Sequence, residues 1–193
     1  MRRALITILF LTTAALVLAP AAEAGPFYVF GKLGSTDASV DVATGFDSVL
    51  DGDDNSAGYG VGFKTGRHMA FQIEYHDLGN IPGLGTACAA GNPICEALPV
   101  EADSAGISVS IVPHVLLTQR IRIYAKLGYI SWDSDISAVS DLGSQFINEF
   151  SDEDLVYGAG LRFQIPGPFG AFAEYERIAD AFDTVAIGAT WGF

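Results

Sequence analysis

The chain has 193 residues, of which 23 are Asp or Glu and 10 are Lys or Arg, so its formal net charge is −13 at pH 7. We expect no nucleic-acid partner, because phosphate binding needs a basic face and this composition provides none. The length suits a single domain after any targeting segment is removed.

The first 24 residues have the three parts of a secretory signal peptide. Two arginines precede an uncharged apolar run over residues 4–18, and residues 22–24 (AEA) supply an A-x-A cleavage site. An amino-terminal membrane anchor is the alternative, but the run is short for a transmembrane helix and Pro20 follows it. We predict cleavage before Gly25. The domain over residues 25–193 then carries 22 acidic side chains (23 less Glu23) and 8 basic ones (10 less Arg2 and Arg3).

The rest of the chain alternates apolar and polar residues with a period of two, which is typical of β-strands. In the clearest segment, residues 154–167, the odd-numbered positions from Leu155 to Ile165 are apolar and the even-numbered ones are mostly small or polar. Eight strands are predicted, over residues 26–34, 56–64, 69–77, 102–112, 120–132, 154–167, 169–177 and 182–193. Their lengths are close to the ~9 to 11 residues that a tilted transmembrane strand needs.

The predicted connections alternate in length. Short turns lie at 64–68, 113–119 and 166–168, whereas longer acidic or Gly-rich loops cover 35–55, 79–101 and 133–152, with a shorter acidic loop at 179–181. An even strand count with both termini at the short-turn side is the layout of a single-chain outer-membrane barrel. The pattern therefore predicts an all-β fold, an eight-stranded antiparallel up-and-down transmembrane β-barrel.

Charged residues recur in mid-strand on the face opposite the apolar one, interleaved with glycines. They are Glu74, Arg122, Lys126, Arg162, Glu174 and Glu176. Glycine weakens a strand but leaves room inside a narrow barrel, so we predict that the glycines accommodate long charged side chains in the lumen. In a low-dielectric interior these charges should pair, and we predict a network that plugs the lumen. A narrow pore is one alternative, and a soluble lipocalin-like binding barrel is another.

The two cysteines, Cys88 and Cys95, enclose a turn-rich segment with Gly91, Asn92 and Pro93. In an exported protein such a pair is most simply a disulfide that closes a small loop. A metal site would need further ligands, and Glu96 is the one candidate near the pair.

No metal or cofactor is predicted. Residues 51–55 (DGDDN) space Asp51, Asp53 and Asn55 as a calcium loop does, but position six is Ser56 and position twelve is Gly62. We therefore predict a solvated acidic loop tip.

The histidines do not form a recognisable catalytic set with a serine. His68, His76 and His114 lie in or near turns or strand ends. His76 with Glu74 and a lumenal serine is conceivable, so a lipid A hydrolase stays an alternative, but we predict no enzyme.

The last strand alternates apolar residues back from a terminal aromatic, namely Phe193, Trp191, Ala189, Ile187 and Val185. With the strand pattern and acidic loops, this ending resembles the small outer-membrane β-barrel proteins, the OmpA-like transmembrane domain family. The resemblance implies that these five residues are an assembly signal read by the outer-membrane insertion machinery. It also implies an outer-membrane location, contact with lipid and lipopolysaccharide, a monomer, and a structural or surface-interaction role.

Overall fold

The computed structural model describes residues 25–43, 47–88, 95–140, 143–179 and 181–193. They form eight strands: β1 (Phe27–Ala43), β2 (Asp47–Lys64), β3 (Met69–Cys88), β4 (Cys95–Leu116), β5 (Ile121–Ser140), β6 (Gly143–Gln164), β7 (Phe169–Ile178) and β8 (Phe182–Gly192). Each strand pairs antiparallel with the next, and β8 pairs with β1 to close the barrel. The predicted eight-stranded up-and-down barrel is confirmed. The predicted signal peptide, residues 1–24, lies outside the described residues.

Among the described residues, no helix is long and apolar enough to cross a membrane.

Six strands are much longer than predicted. Strands β1 to β6 contain 17 to 22 residues, whereas β7 and β8 contain 10 and 11. The predicted loops at 35–55, 79–101 and 133–152 are therefore wrong, because most of their described residues continue the strands. The predicted tip at 51–55 lies within β2 and pairs with β1.

The reason is clearest on β5, where the pattern inverts along the strand. In the first part of β5, Leu127 and Tyr129 point outward and are about half exposed. Beyond Ile130 the outward positions are Asp133 and Asp135, while Trp132 is buried inside. The period of two continues, but apolar residues now fill the interior and carboxylates cover the exterior. A prediction that requires apolar residues on the outward face therefore ends each such strand where its outward residues become polar.

The barrel has two distinct ends. We call the end with connections at 65–68, 117–120 and 165–168 the turn end, and the other the hairpin end. Between them lies an apolar exterior belt, in which Leu33 and Ile187 are each 69% exposed. Phenylalanines occupy the belt near the turn end, at Phe27, Phe63, Phe71, Phe163, Phe169 and Phe193. Tyrosines lie farther along the strands, at Tyr59, Tyr75, Tyr129, Tyr157 and Tyr175. Such a belt with aromatic girdles is typical of a membrane-spanning barrel.

Inside the barrel, two apolar layers enclose a polar one. The hairpin-end cluster consists of Ala38, Leu78, Ile81, Val100, Ala102, Ile130, Trp132, Ile136, Val156, Ile178 and Phe182. The ring layer, toward the turn end, consists of Tyr28, Phe30, Ala70, Val112, Tyr124 and Phe172. Buried lysine and glutamate side chains occupy the level between these layers.

Candidate functional site

Five charged side chains meet at the polar level of the lumen. This charge cluster consists of Lys32, Glu74, Lys126, Glu174 and Glu176, each no more than 6% exposed. The five residues come from the odd-numbered strands β1, β3, β5 and β7. Strand tilt brings them together, because residues at one height are displaced along successive strands of a tilted barrel.

Each lysine contacts all three glutamates. Lys126 Nζ lies 2.7 Å from Glu74 Oε2 and 3.6 Å from Glu174 Oε2. Lys32 Nζ lies 2.5 Å from Glu74 Oε1 and 2.8 Å from Glu174 Oε1. Glu176 bridges the two ammonium groups, with one oxygen on each. A buried charge is tolerated when several opposite charges and hydrogen bonds surround it, and this arrangement provides them.

The even-numbered strands leave room for these side chains. Gly58 lies opposite Lys32, and a Cβ added to it would fall 2.7 Å from Lys32 Cε. Gly158 lies opposite Glu176, where a Cβ would fall 3.0 Å from Cγ. The prediction that glycines accommodate charged side chains holds at these two positions. Other glycines accommodate rings instead, in the pairs Gly60–Phe30, Gly62–Tyr28, Gly160–Tyr124 and Gly188–Phe172.

Four of the six predicted lumenal residues belong to the cluster: Glu74, Lys126, Glu174 and Glu176. Lys32 is a member that the sequence analysis missed. Its inward neighbours on β1 are Tyr28 and Phe30, so the inward face of that strand does not look polar. Lys32 could have been identified from its position, because it follows Tyr28 and Phe30 at alternate residues and therefore shares their inward face of β1.

Arg122 and Arg162 are not in the cluster, which corrects the predicted network. Strand β5 starts at the turn end, and Arg122 lies four residues before Lys126 on it. Strand β6 finishes at the turn end, and Arg162 lies four residues after Gly158 on it. Both therefore lie nearer the turn end. The guanidinium carbon of Arg162 is 5.0 Å from the Tyr28 ring centroid and 5.4 Å from that of Tyr124. The ring layer separates the two arginines from the glutamates.

Two hydrogen bonds connect the ring layer to its polar neighbours. The Tyr124 hydroxyl donates to Glu174 Oε2 at 2.8 Å, and Gln72 Nε2 donates to the Tyr28 hydroxyl at 2.9 Å. Both tyrosines are buried, and their hydroxyl groups have partners. The ring layer is thus bonded to the cluster through Tyr124 and to β3 through Gln72.

Ser108, His76 and Glu74, the last a member of the charge cluster, lie next to one another in the lumen. His76 Nε2 is 2.8 Å from Ser108 Oγ, and His76 Nδ1 is 3.8 Å from Glu74 Oε1. The order is that of a hydrolase triad, but the second distance exceeds a hydrogen bond and both lysines contact Glu74. All three residues are at most 2% exposed, so a substrate has no access to Ser108 in this conformation.

Three side chains in the same region are close enough together to hold a metal ion, but two of them already pair with lysines. One ligand atom from each of Glu74, His76 and Glu176 lies within 4.8 Å of the others. The two lysine ammonium groups already contact both carboxylates. A divalent cation would have to displace these positive charges, so the arrangement favours ion pairs over metal binding.

The remaining predicted positions lie apart from the lumen site. The outer face of β8 carries Val185, Ile187, Ala189, Trp191 and Phe193, of which Val185 is 62% exposed. The Phe193 amide donates to the Phe27 carbonyl at 3.0 Å. Cys88 and Cys95 are opposite one another in the backbone register of β3 and β4, but their side chains lie outside the described residues.

The Asp54 carboxylate is used within the barrel wall. It accepts the amide protons of Asn80 and Asn55, each at 2.7 Å, beside the irregular register of β2 and β3. These bonds lower the pKa of Asp54 below its usual range. The segment predicted as a solvated loop tip is thus part of the sheet.

Comparison with known proteins defines the family. The family model for the outer membrane protein beta-barrel domain matches residues 5–193, so the chain belongs to that family and is an outer-membrane protein. In such barrels the short turns are periplasmic and the long hairpins extracellular. No curated protein matches the chain at a significant level.

Solved structures show the same fold at low identity. Neisserial surface protein A is 13% identical, with 89% of this chain and 100% of that chain covered and a TM-score of 0.57. The N-terminal β-barrel domain of Pseudomonas aeruginosa OprF is 11% identical, with the same coverage and a TM-score of 0.52. Ail, the attachment invasion locus protein of Yersinia pestis, is 18% identical, with 86% and 99% covered and a TM-score of 0.50.

Proposed function

We propose that the protein is a non-conducting outer-membrane barrel whose strands extend outside the cell to contact cationic surfaces or partners. The observation that carries this proposal is the distribution of charge along the strands. Among the described residues, every acidic residue except the three glutamates of the charge cluster lies toward the hairpin end. Residues 55–73, 104–132 and 155–173, which comprise the three turns and the strand segments beside them, contain no acidic residue.

The outer face of the extension carries two runs of laterally adjacent carboxylates, which we call the acidic wall. Asp37 lies between Asp53 and Asp183 in the register of β2, β1 and β8. Asp135 lies between Asp103 and Glu149 in the register of β4, β5 and β6. Like charges directly opposite on a sheet destabilise it, and a cationic partner would relieve this repulsion.

The carboxylates of the acidic wall affect one another electrostatically. Partial burial and then the neighbouring charges of Asp77 and Asp135 raise the pKa of Asp103. Because its raised pKa makes Asp103 lose its negative charge earlier as the pH falls, cation binding at this wall would become weaker on acidification. This supports a surface that selects partners by positive charge.

The ring layer, the charge cluster and the hairpin-end cluster support a plugged lumen. An eight-stranded barrel is only wide enough to be filled by side chains, and here three successive layers contain buried ones. A narrow pore would require all three to rearrange. The same burial at Ser108 and His76 favours a protein without enzymatic activity.

The edge of β6 supports a monomer. Pairing with β7 begins at Val156, so among the described residues the stretch before it has no strand partner on that side. Its edge amides are capped from within: Glu153 donates to Asp152 Oδ1 at 2.8 Å, and Leu155 donates to Asp154 Oδ1 at 2.6 Å. Charged, satisfied edges resist pairing with another chain.

The outer surface of the barrel supports the other proposed partners, which are lipid, lipopolysaccharide and the insertion machinery. Outer-membrane lipid and lipopolysaccharide would surround the apolar belt, and the insertion machinery would read β8. The Ail structure contains a heparin analogue, sucrose octasulfate, which is a polyanion. The acidic wall supports the opposite preference for this chain, because it would repel a polyanion.

Two experiments test the proposal. In planar bilayers we expect no conductance steps above leak from the purified barrel, and regular steps would contradict the plug. For the surface, D37N/D103N/D135N should bind polylysine less tightly than the wild type, whereas the charge-conserving control D37E/D103E/D135E should retain binding. Equal binding by all three proteins, or tighter binding to heparin than to polylysine, would contradict the cationic partner.

A further inference from the structure

Three cations gather in the lumen at the periplasmic mouth. Lys64 ends β2, Arg122 is the second residue of β5, and Arg162 lies near the end of β6; we call them the mouth cations. All three are half-buried. Lys64 Nζ is 5.5 Å and the Arg162 guanidinium carbon is 5.0 Å from the same Tyr28 ring centroid. Arg122 and Arg162 are direct register partners on β5 and β6.

These cations have no counter-charge within the described residues. The ion pairs found there involve Lys32, His76, Lys126 and Arg177, and none involves a mouth cation. The ring layer keeps the three glutamates of the charge cluster away. The three periplasmic turns contain no acid either, and they add Arg67 and Arg120 to the positive charge.

The arrangement is unfavourable in the absence of a partner. Directly opposed like charges destabilise a strand pair, and Arg122 faces Arg162 with Lys64 beside it. Arg162 Nε is buried and has no acceptor among the described residues. The rings of Tyr28, Tyr124 and Phe172 surround the Arg162 guanidinium at 5.0, 5.4 and 6.0 Å, which fixes its position without satisfying its N–H donors.

We infer that the mouth cations form an anion-binding site that takes a phosphate group from the periplasmic side. Two guanidinium groups provide forked donors that match phosphate oxygens, and Lys64 adds a compact positive charge. Half-burial lowers the local dielectric while leaving the site open to the mouth. This site is independent of the proposed extracellular role, because it lies at the opposite end of the barrel. The phosphate can come from a free anion or from a phospholipid headgroup of the inner leaflet.

The test compares two double variants that remove the same charge. R122Q/R162Q removes both guanidinium groups from the proposed site. R67Q/R120Q removes two arginines from the turns and serves as the matched control. Inorganic phosphate is titrated by calorimetry into barrels folded in an uncharged detergent, with folding verified by heat-modifiable migration in gels. We expect saturable binding by the wild type and the control, and a loss of about tenfold or more in affinity for R122Q/R162Q.

Nanodiscs distinguish the two sources. If the phosphate binding seen in detergent is lost in both phosphatidylcholine and phosphatidylglycerol nanodiscs, whose headgroups each contain a phosphate, the site is occupied by a headgroup; if binding persists in phosphatidylcholine nanodiscs, the site serves a free anion. Both outcomes support the site. Absence of saturable binding in detergent, or an equal loss in the two double variants, would overturn it.

A stability measurement provides a second readout. Without phosphate, R122Q should melt at a higher temperature than the wild type, because it relieves the repulsion with Arg162 and Lys64. A clear destabilisation by R122Q would mean that the arginines stabilise the barrel itself and would also overturn the inference.

Discussion

Gly62 on β2 lies directly opposite Tyr28 on β1, and a Cβ added to Gly62 would overlap three atoms of the Tyr28 phenol ring. The ring is 2% exposed and is fixed by the hydrogen bond from Gln72. It therefore cannot move aside without breaking that bond and disturbing the ring layer.

The first prediction concerns this contact. Gly62→Ala should destabilise the barrel by about 1–3 kcal/mol, the usual effect of overpacking a filled interior. Gly31→Ala is the control, because its side chain would face outward, with the nearest atom 3.9 Å away. We expect the control to be neutral or slightly stabilising in urea unfolding from lipid vesicles. Equal stability of the two variants would show that the lumen is not tightly packed at Tyr28.

The second prediction concerns the charge cluster. Lys126→Met leaves three glutamates around Lys32 alone, and it should destabilise the barrel by about 3–5 kcal/mol because buried charge loses its partner. The double variant K126M/E74Q removes one charge of each sign and should recover part of the loss. Urea midpoints measured for both variants check this. A double variant less stable than K126M would contradict the pairing of Lys126 with Glu74.

The third prediction concerns acid. Because two amide donors lower the pKa of Asp54 in the folded protein, its carboxylate stabilises the fold above the usual aspartate pKa. This contribution disappears as the pH falls below about 4, through the lowered folded-state pKa. Asp54→Ala should thus lower the melting temperature more at pH 7 than at pH 3. The control is Asp53→Ala, at the neighbouring exposed carboxylate. This variant keeps Asp54, so its melting temperature should fall between pH 7 and pH 3 as much as that of the wild type.

The fourth prediction concerns Ser108. Its hydrogen bond with His76 invites comparison with a hydrolase, yet its burial should prevent any reaction. A fluorophosphonate probe should leave the folded barrel unlabelled while it labels a serine hydrolase added to the same detergent. Mass-spectrometric detection of the probe on Ser108 would revive the enzyme alternative.

The fifth prediction concerns the cysteines. The register places Cys88 opposite Cys95 at the end of the β3–β4 hairpin, a position from which a disulfide can close the hairpin. Iodoacetamide should modify neither cysteine until a reductant is added, as peptide mass spectrometry can show. Alkylation of both cysteines in the oxidised, exported protein would rule the bond out.

The membrane-spanning part of the fold could be predicted from sequence because its apolar residues alternate on the outside. Glu74, Lys126, Glu174 and Glu176 were identifiable for the same reason, since each is polar on the inward register. The sequence alone does not give the height of each residue in a tilted barrel, so Arg122 and Arg162 looked equivalent to Lys126. The strand extensions were missed because their interior is apolar, as in a soluble barrel.

The alternation of bulky and small residues in the lumen has a consequence for strand pairing. Lys32, Tyr124 and Phe172 lie on odd-numbered strands, and each faces a glycine on an even-numbered neighbour. Two odd-numbered strands placed side by side would bring rings and charges into the same space, and two even-numbered strands would leave a void. Side-chain volume therefore helps to select the correct neighbour for each strand during barrel closure, in addition to the hydrogen bonds that any two strands can form.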